Sequence, residues 1–450
     1  MLQALNAAGG QGVRVEPGPP EGPPGSLLNL VRERVRGGSE AWIWTGHQAE
    51  FWHPGIMSKY LAAESLRTRL EREGVRAKVA WLVVDQDTNA AWKIPYPGLV
   101  KGALTRSEWT LPPASARGGD VPTGALPPAT TRGVGEAEPA LECVREGLDA
   151  IGRALKAHAS AASLARQVTE ALGDLLAPWC KPDRVVYASE LWRDESFARL
   201  LEEIRRDPAK CVAAYNRAAA SVPRARVRPL SVEGSRVELP LWRLEGAGKP
   251  RRPVWSDELD GLKVEELSPR ALLMTAAVRS ASCDLFIHGM GGGVYDRITE
   301  RWFAEWMPGV SLAPTAVVTA TVRLPFDVRV RTPEEIARAR WRAHAARHSP
   351  ALLGDEAGER RRRELAEAVR RAGSKDATRD AFATLQAFLR EYRERNEPRL
   401  RELKLEAEQA AQDTSVAGIV HERTWPFPLY PKAILDGLNA DVAHAVGGGG

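Results

Sequence analysis

The sequence predicts an α/β protein with a parallel, doubly wound sheet of the Rossmann-like kind. Three observations predict it. Short apolar runs alternate with helical stretches over 41–87 and again over 184–206, the pattern of parallel sheets. These runs end in polar or glycine-rich turns, where such a sheet presents its ligands. Beyond Thr332 the composition shifts to Arg, Glu and Ala, which belongs to solvated helices rather than to a sheet core.

In chain order, residues 9–26 are dense in Gly and Pro and read as loop, followed by a short helix over 27–35. A strand ending at Thr45-Gly46-His47-Gln48, an amphipathic helix over 57–73 and a strand over 78–84 make one βαβ unit. Residues 88–140 form a long excursion with a strand near 108–111. Helical spacing returns over 138–177, with Leu141, Val144, Leu148, Ile151 and Leu155 on one stripe. A strand over 184–188 and a helix over 191–206 repeat the alternation. A helix and paired strands (227–230, 236–244) follow. Ser268-Pro269-Arg270 opens another helix. A strand over 284–287, a glycine loop over 288–293, a helix over 295–307 and a strand over 314–324 complete the core. Residues 332–412 predict two or three long helices broken at Gly373-Ser374. Their apolar seam (Leu385, Phe388, Leu389, Tyr392, Leu400, Leu403, Ala407) suits an antiparallel coiled-coil arm, through which two copies would pair as a homodimer. The domain map is therefore a core over 1–330 with insertions at about 88–140 and 209–265, an arm over 331–412, and a segment over 413–450 that returns to the core and ends in the glycine tail 447–450.

Composition narrows the function. Apolar residues make up 44% and charged residues 27% of the 450, as in soluble globular proteins. Net charge is +5, which suits an anionic small-molecule substrate and gives no argument for nucleic acid. No apolar run approaches the roughly 18 residues that span a membrane, and the N-terminus lacks a secretory pattern, so the expected compartment is the cytoplasm. The four cysteines show no CxxC spacing, which excludes a zinc ribbon or a thioredoxin motif.

Four constellations carry the chemistry. Thr45, Gly46, His47 and Gln48, with His53 and Gly55, sit on a strand-to-helix turn that aims backbone N–H groups at an anion. Glu50 is the conflicting charge there and must turn to solvent or pair elsewhere. Asp85 and Asp87 end the next strand and could hold a metal, an amine or a sugar hydroxyl. His288, Gly289, Gly291 and Gly292, with Tyr295, follow the late strand and allow close approach of a ligand. Arg423 lies in His421-Glu422-Arg423-Thr-Trp425. Asp85, Asp87 and His47 are the candidate catalytic groups, and the others bind substrate or nucleotide. No metal ligand set is assigned. ATP or ADP is the expected ligand of the 45–55 turn, and His53→Ala is expected to weaken its binding at near wild-type stability.

These segments, in this order, resemble the bacillithiol biosynthesis cysteine-adding enzymes. The resemblance rests on Thr45-Gly46-His47-Gln48, where the family has Thr-Gly-Gln-Gln, on His53-Pro54, on Lys59-Tyr-Leu-Ala-Ala63 and on Trp81-Leu-Val-Val-Asp85-Gln86-Asp87. It continues through Pro269-Arg270, Leu285-Phe-Ile287, Gly291-Gly292 and Glu422-Arg423-Thr-Trp425. It implies a nucleotidyltransferase-type Rossmann-like core, a helical arm used in dimerisation, and ligation of cysteine to glucosaminyl-malate. It supplies no agreed catalytic residue. The expected function is a ligase joining an amino acid, cysteine foremost, to the amine of an amino-sugar conjugate. The alternatives are a nucleotidyltransferase-like protein acting on another metabolite and a non-catalytic scaffold of the same fold.

Overall fold

The computed structural model describes residues 12–17, 27–35, 40–112, 120–131, 135, 137–327 and 331–447. They divide into two compact units, one over 1–100, 106–324 and 423–450, the other over 101–105 and 325–422.

The first unit is built on six strands: β1 (Gly12–Pro17), β2 (Ala41–Gln48), β3 (Ala77–Val84), β4 (Arg184–Tyr187), β5 (Leu285–His288) and β6 (Thr315–Thr321). They lie in the order β1-β6-β5-β2-β3-β4. β2 to β6 are parallel to their neighbours, and β1 runs antiparallel on the edge. From β2 the chain builds outward one way through β3 and β4, then returns to build the other way through β5 and β6. The order reverses between β2 and β5, which opens a crevice at the carboxyl ends of those two strands.

Both faces of the sheet are covered, so its strands read as apolar runs. The helix Pro54–Arg72 covers one face, with Tyr60 edge-on to Trp81 at 5.0 Å. On the other, Met274 and Val278 of the helix Ala271–Ala281 pack with Trp44, Leu82 and Phe286. Parallel register aligns Phe286 with Trp44 and Trp44 with Ala80, which places those side chains on one face.

Several elements differ from the sequence reading, three of them near the sheet core. Within 9–26, Gly12–Pro17 is a strand, paired from Gly12 with Thr321 to Pro17 with Ala316. The alternation of Val13-Arg14-Val15-Glu16 was its signal, hidden by the Gly and Pro around it. Pro17 is tolerated because the strand is on an edge. The rest of that stretch lies outside the described residues. The helix expected from Tyr295 begins instead at Met290 and runs to Trp306, so the glycines form its first turn. Glycine costs a helix about 1 kcal/mol per residue, which is why the stretch reads as loop. In the stretch over 209–265 the expected helix (Pro208–Ala220) and strand (Arg236–Arg243) are present, but 227–230 is not a strand, and Arg236–Arg243 pairs instead with Arg252–Trp255. These share an apolar core with Trp302 and Trp306. Of the terminal glycines, Gly447 ends the helix Lys432–Gly447, and 448–450 lie outside the described residues.

The second unit contains the helices Pro333–Ala345, Glu356–Arg371, Lys375–Arg395 and Glu397–Val420. Thr332 and Glu335 form a reciprocal capping box at the start of the first. Leu400 and Leu403 bury against Ala346, Leu352 and Leu353, while Leu389 and Tyr392 are also buried. Arg362 and Arg363 both pair with Glu359 and Arg361 pairs with Glu364, so neighbouring carboxylates offset part of the basic run over 360–363. Among the described residues no helix is long and apolar enough to cross a membrane.

Candidate functional site

A cavity of about 450 Å³ occupies the crevice at the ends of β2 and β5. Lys59, the helix Ala271–Ala281 and Thr319 of β6 line part of it, and most of the sequence-predicted residues enter from four further places. The end of β2 and the start of the helix Pro54–Arg72 give Gly46, His47, Gln48, His53 and Gly55. The turn after β3 gives Asp87. The start of the helix Met290–Trp306 gives Gly289 to Gly292 and Tyr295, beside His288. The C-terminal segment gives Arg423.

Gly46 is dictated by packing. A Cβ there would lie 2.5 Å from the Leu82 carbonyl oxygen and 2.8 Å from Leu82 Cβ. Its own carbonyl accepts a hydrogen bond from Lys59 Nζ. Lys59 is 3% exposed and lines the cavity. No carboxylate lies within 4 Å of its amine among the described residues. Burial lowers its pKa to about 7, an effect that Glu50 partly offsets. Burial also holds the His47 imidazole well below its usual value, with help from Lys59 and His53, so His47 is neutral near pH 7.

His53 caps the helix Pro54–Arg72. Its Nδ1 accepts from the Gly55 amide at 3.0 Å, which leaves the ring proton on Nε2. The expectation that His53→Ala spares stability is therefore corrected. Loss of such a cap costs about 0.5–2 kcal/mol, and thermal denaturation of His53→Ala should show that loss with or without ligand.

His288 is held from behind. Its Nε2 lies 2.6 Å from Asp296 Oδ2, and Asp296 Oδ1 lies 3.3 Å from Arg279 Nη1. Arg279 is fully buried, pairs also with Glu300 and donates from Nε to the Ala313 carbonyl at 2.8 Å. Burial pushes the Asp296 carboxyl up, but His288 and Arg279 outweigh it and hold it below the usual carboxylate range. Gly292 makes room for the His288 ring, against which a Cβ would collide. Gly289 and Gly291 differ: a Cβ at either would meet nothing within 4 Å. Neither packing nor a left-handed backbone requires glycine there. The helix has no side-chain cap at Gly289, so the amides of its first turn have no intrahelical partner.

Two sequence-predicted residues do not reach this cavity. Thr45 is fully buried, and its hydroxyl donates to the Ile287 carbonyl at 2.9 Å, tying β2 to β5. Asp85 turns away to the end of β4, where it accepts from the Ser189 amide at 2.9 Å and from the Ser189 hydroxyl at 2.5 Å. Burial raises its pKa to about 6 against those hydrogen bonds, and it borders a separate cavity. Asp85 and Asp87 therefore do not act as a pair. Asp87 is engaged at 3.1 Å by both Gln48 Nε2 and Arg251 Nη1. Among the described residues no group of three His, Cys, Asp or Glu side chains could hold a metal ion. Arg423 donates to the Thr321 hydroxyl at 3.3 Å.

Lys59, Arg251 and Arg279 are the polar groups that sequence reasoning missed as parts of the site, whereas Asp296 closes the His288 glycine motif that the sequence singles out. Lys59 carried a readable signal. Its neighbours three and four positions away are Gly55, Ile56, Ala62 and Ala63, so it lies on the buried stripe of its helix with no acidic residue beside it.

No family model and no curated protein matches the chain. Among solved structures it is similar to a Campylobacter jejuni protein provisionally described as an arginyl-tRNA synthetase. Identity is 11% and the TM-score 0.26, over 94% of this chain and 96% of that one. At that TM-score the likeness carries no weight for what the site does.

Proposed function

We propose that this cavity binds the phosphates of a nucleotide, ATP or ADP, and that the protein is an amide-forming ligase. One observation carries the proposal: Lys59 is a buried amine with no carboxylate within 4 Å among the described residues, lining a cavity beside an uncapped helix start. A buried cation without a counter-charge is costly, and a bound anion supplies that counter-charge. The helix amides add donors aimed the same way. A volume of about 450 Å³ lies within the range of small-molecule sites.

In this reading Lys59 and Arg423 neutralise the anion. His53 donates through Nε2, and the first turn over 290–292 hydrogen-bonds through its backbone. His288, fixed by Asp296, orients the ligand on the opposite wall. A bound nucleotide would supply the activation that a carboxyl group needs before an amine can attack it. Cysteine as the amino acid and an amino-sugar conjugate as the amine are the narrower form of the proposal, resting on the resemblance.

Calorimetry with ATP, ADP and AMP, with and without magnesium, tests the binding. Turnover assays with ATP, cysteine and amino sugars test the reaction. No heat with any nucleotide would remove the assignment. Gly291→Ala separates a ligand role from a packing role. The alanine gains helix propensity, so stability should rise by up to about 1 kcal/mol, while its methyl group enters the cavity and nucleotide affinity falls. Unchanged affinity in a more stable variant would show that Gly291 does not face the ligand.

A further inference from the structure

In the second unit, the helix Pro333–Ala345 buries Ile336 and packs Ala343 against Leu400 and Leu403. Its other side carries Arg338, Arg340, Trp341, Arg342 and His344, all exposed, and an exposed Arg347 follows. Trp341 is 59% exposed. Its neighbours one turn away include Ala337 and Ala345, which leave the faces of the indole uncovered by its own helix. Among the described residues no cation covers it either, whereas guanidinium groups lie over Trp192, Trp242, Trp255 and Trp425. The arginines around it stand out as well. Elsewhere in this unit arginines pair along their own helices: Arg361 with Glu364, Arg371 with Glu367, Arg379 with Asp376 and Arg399 with Glu402. Arg338, Arg340, Arg342 and Arg347 have no carboxylate within 4 Å among the described residues. The helix's own carboxylates, Glu334 and Glu335, sit in its first turn, and Glu335 accepts from the Thr332 amide at 2.8 Å. This local excess of positive charge is concealed in a net charge of +5 over 450 residues.

We propose that this face binds single-stranded nucleic acid, with Arg338, Arg340, Arg342 and Arg347 on the phosphates and a base stacked on Trp341. A guanidinium matches a phosphate bidentately, and an open indole offers a platform that any base can occupy. Arg338 and Arg342 are about 6 Å apart along the helix axis, so the charges form a row that follows a chain of phosphates rather than a single anion. An anionic membrane fits less well. A helix that lies on a bilayer inserts a broad apolar face, and here that face is already packed against Leu400 and Leu403. The proposal is independent of the ligase reading.

Fluorescence anisotropy of a labelled oligouridine of about 15 nucleotides with the full chain tests it. Four phosphate contacts predict that affinity falls about 50-fold between roughly 50 and 200 mM salt. Replacing both Arg338 and Arg342 by Gln should roughly halve the slope of log affinity against log salt. Trp341→Ala should weaken binding by about fivefold or more, and Trp341→Phe should recover most of that loss. Inorganic polyphosphate, which has the charge but no bases, should bind wild type and Trp341→Ala alike. Lys59→Met should bind the oligonucleotide as wild type does. All the arginines and the tryptophan varied here are exposed, and unchanged thermal melting would confirm that their variants fold. No binding at low salt, equal affinity in Trp341→Ala, or loss of binding in Lys59→Met would overturn the proposal. So would preferential binding to phosphatidylcholine–phosphatidylserine vesicles. Sedimentation showing a dimer that Trp341→Ala disperses would also overturn it, by making this face a contact between two copies.

Discussion

Lys59→Met should abolish anion binding and, with no ligand present, make the fold more stable. Removing one partner of a buried charge-assisted contact costs about 2–5 kcal/mol of binding, or roughly 30-fold and upward in affinity. The stability gain has a defined pH window. Folded, Lys59 titrates near 7 rather than at 10.5. Between those values the unfolded chain holds a proton that the folded chain does not, so stability rises with pH across that interval. Below about pH 7 both states hold it, and the buried charge costs its full amount, roughly 5 kcal/mol. Denaturant titrations from pH 6 to 10 should therefore show an upward slope in wild type that Lys59→Met lacks. The variant should be more stable by a few kcal/mol at or below pH 7. A bound anion reverses the shift, so nucleotide binding at pH 8 should take up a proton, visible as a buffer-dependent heat. Parallel stability profiles for wild type and variant would mean that water reaches the amine.

Arg279→Met should be the most damaging single change in the first unit. Its guanidinium is fully buried and holds Asp296, Glu300 and the Ala313 carbonyl together. Methionine fills most of the volume but leaves the Asp296 carboxylate beside His288 alone and strips Glu300 of its partner. Breaking a buried ion pair from one side costs about 3–5 kcal/mol, a large part of a typical 5–15 kcal/mol stability. The urea midpoint should fall accordingly, and Asp296→Asn in the same chain should recover part of the loss. An unfolding free energy within 1 kcal/mol of wild type would place water, rather than Arg279, as the effective partner of Asp296.

The sheet was legible because its strands are buried on both faces and therefore apolar throughout. The crevice was legible as well, because polar turns follow β2, β3 and β5. The placement of single side chains was not. Asp85 and Asp87 are two residues apart in a tight turn, and sequence spacing cannot say that one caps β4 while the other meets Arg251 from an insertion more than 160 residues later. The capping role of His53, beside its place in the cavity wall, was not legible because it depends on the angle at which the chain enters the helix. Lys59 was passed over because it lies inside a helix, away from the turns where ligands were sought, although its apolar neighbours marked it. The start of the helix at Met290 was hidden because three glycines suppress every local helix signal. That same lack of side chains opens the cavity wall.

The order of the strands also sets a timetable for synthesis. β2 is the centre of the sheet, and its first neighbour, β3, follows within one helix. Its other neighbour, β5, begins at Leu285, some 240 residues after β2 ends. At about 5–20 residues per second on the ribosome, that edge of β2, with Trp42 and Trp44, waits on the order of 10–50 s for its pair. β1 waits longer still, since its partner is β6. The nascent chain therefore carries an open, tryptophan-bearing strand edge through most of its translation. Such an edge is the kind of template on which nascent chains misassociate and chaperones act.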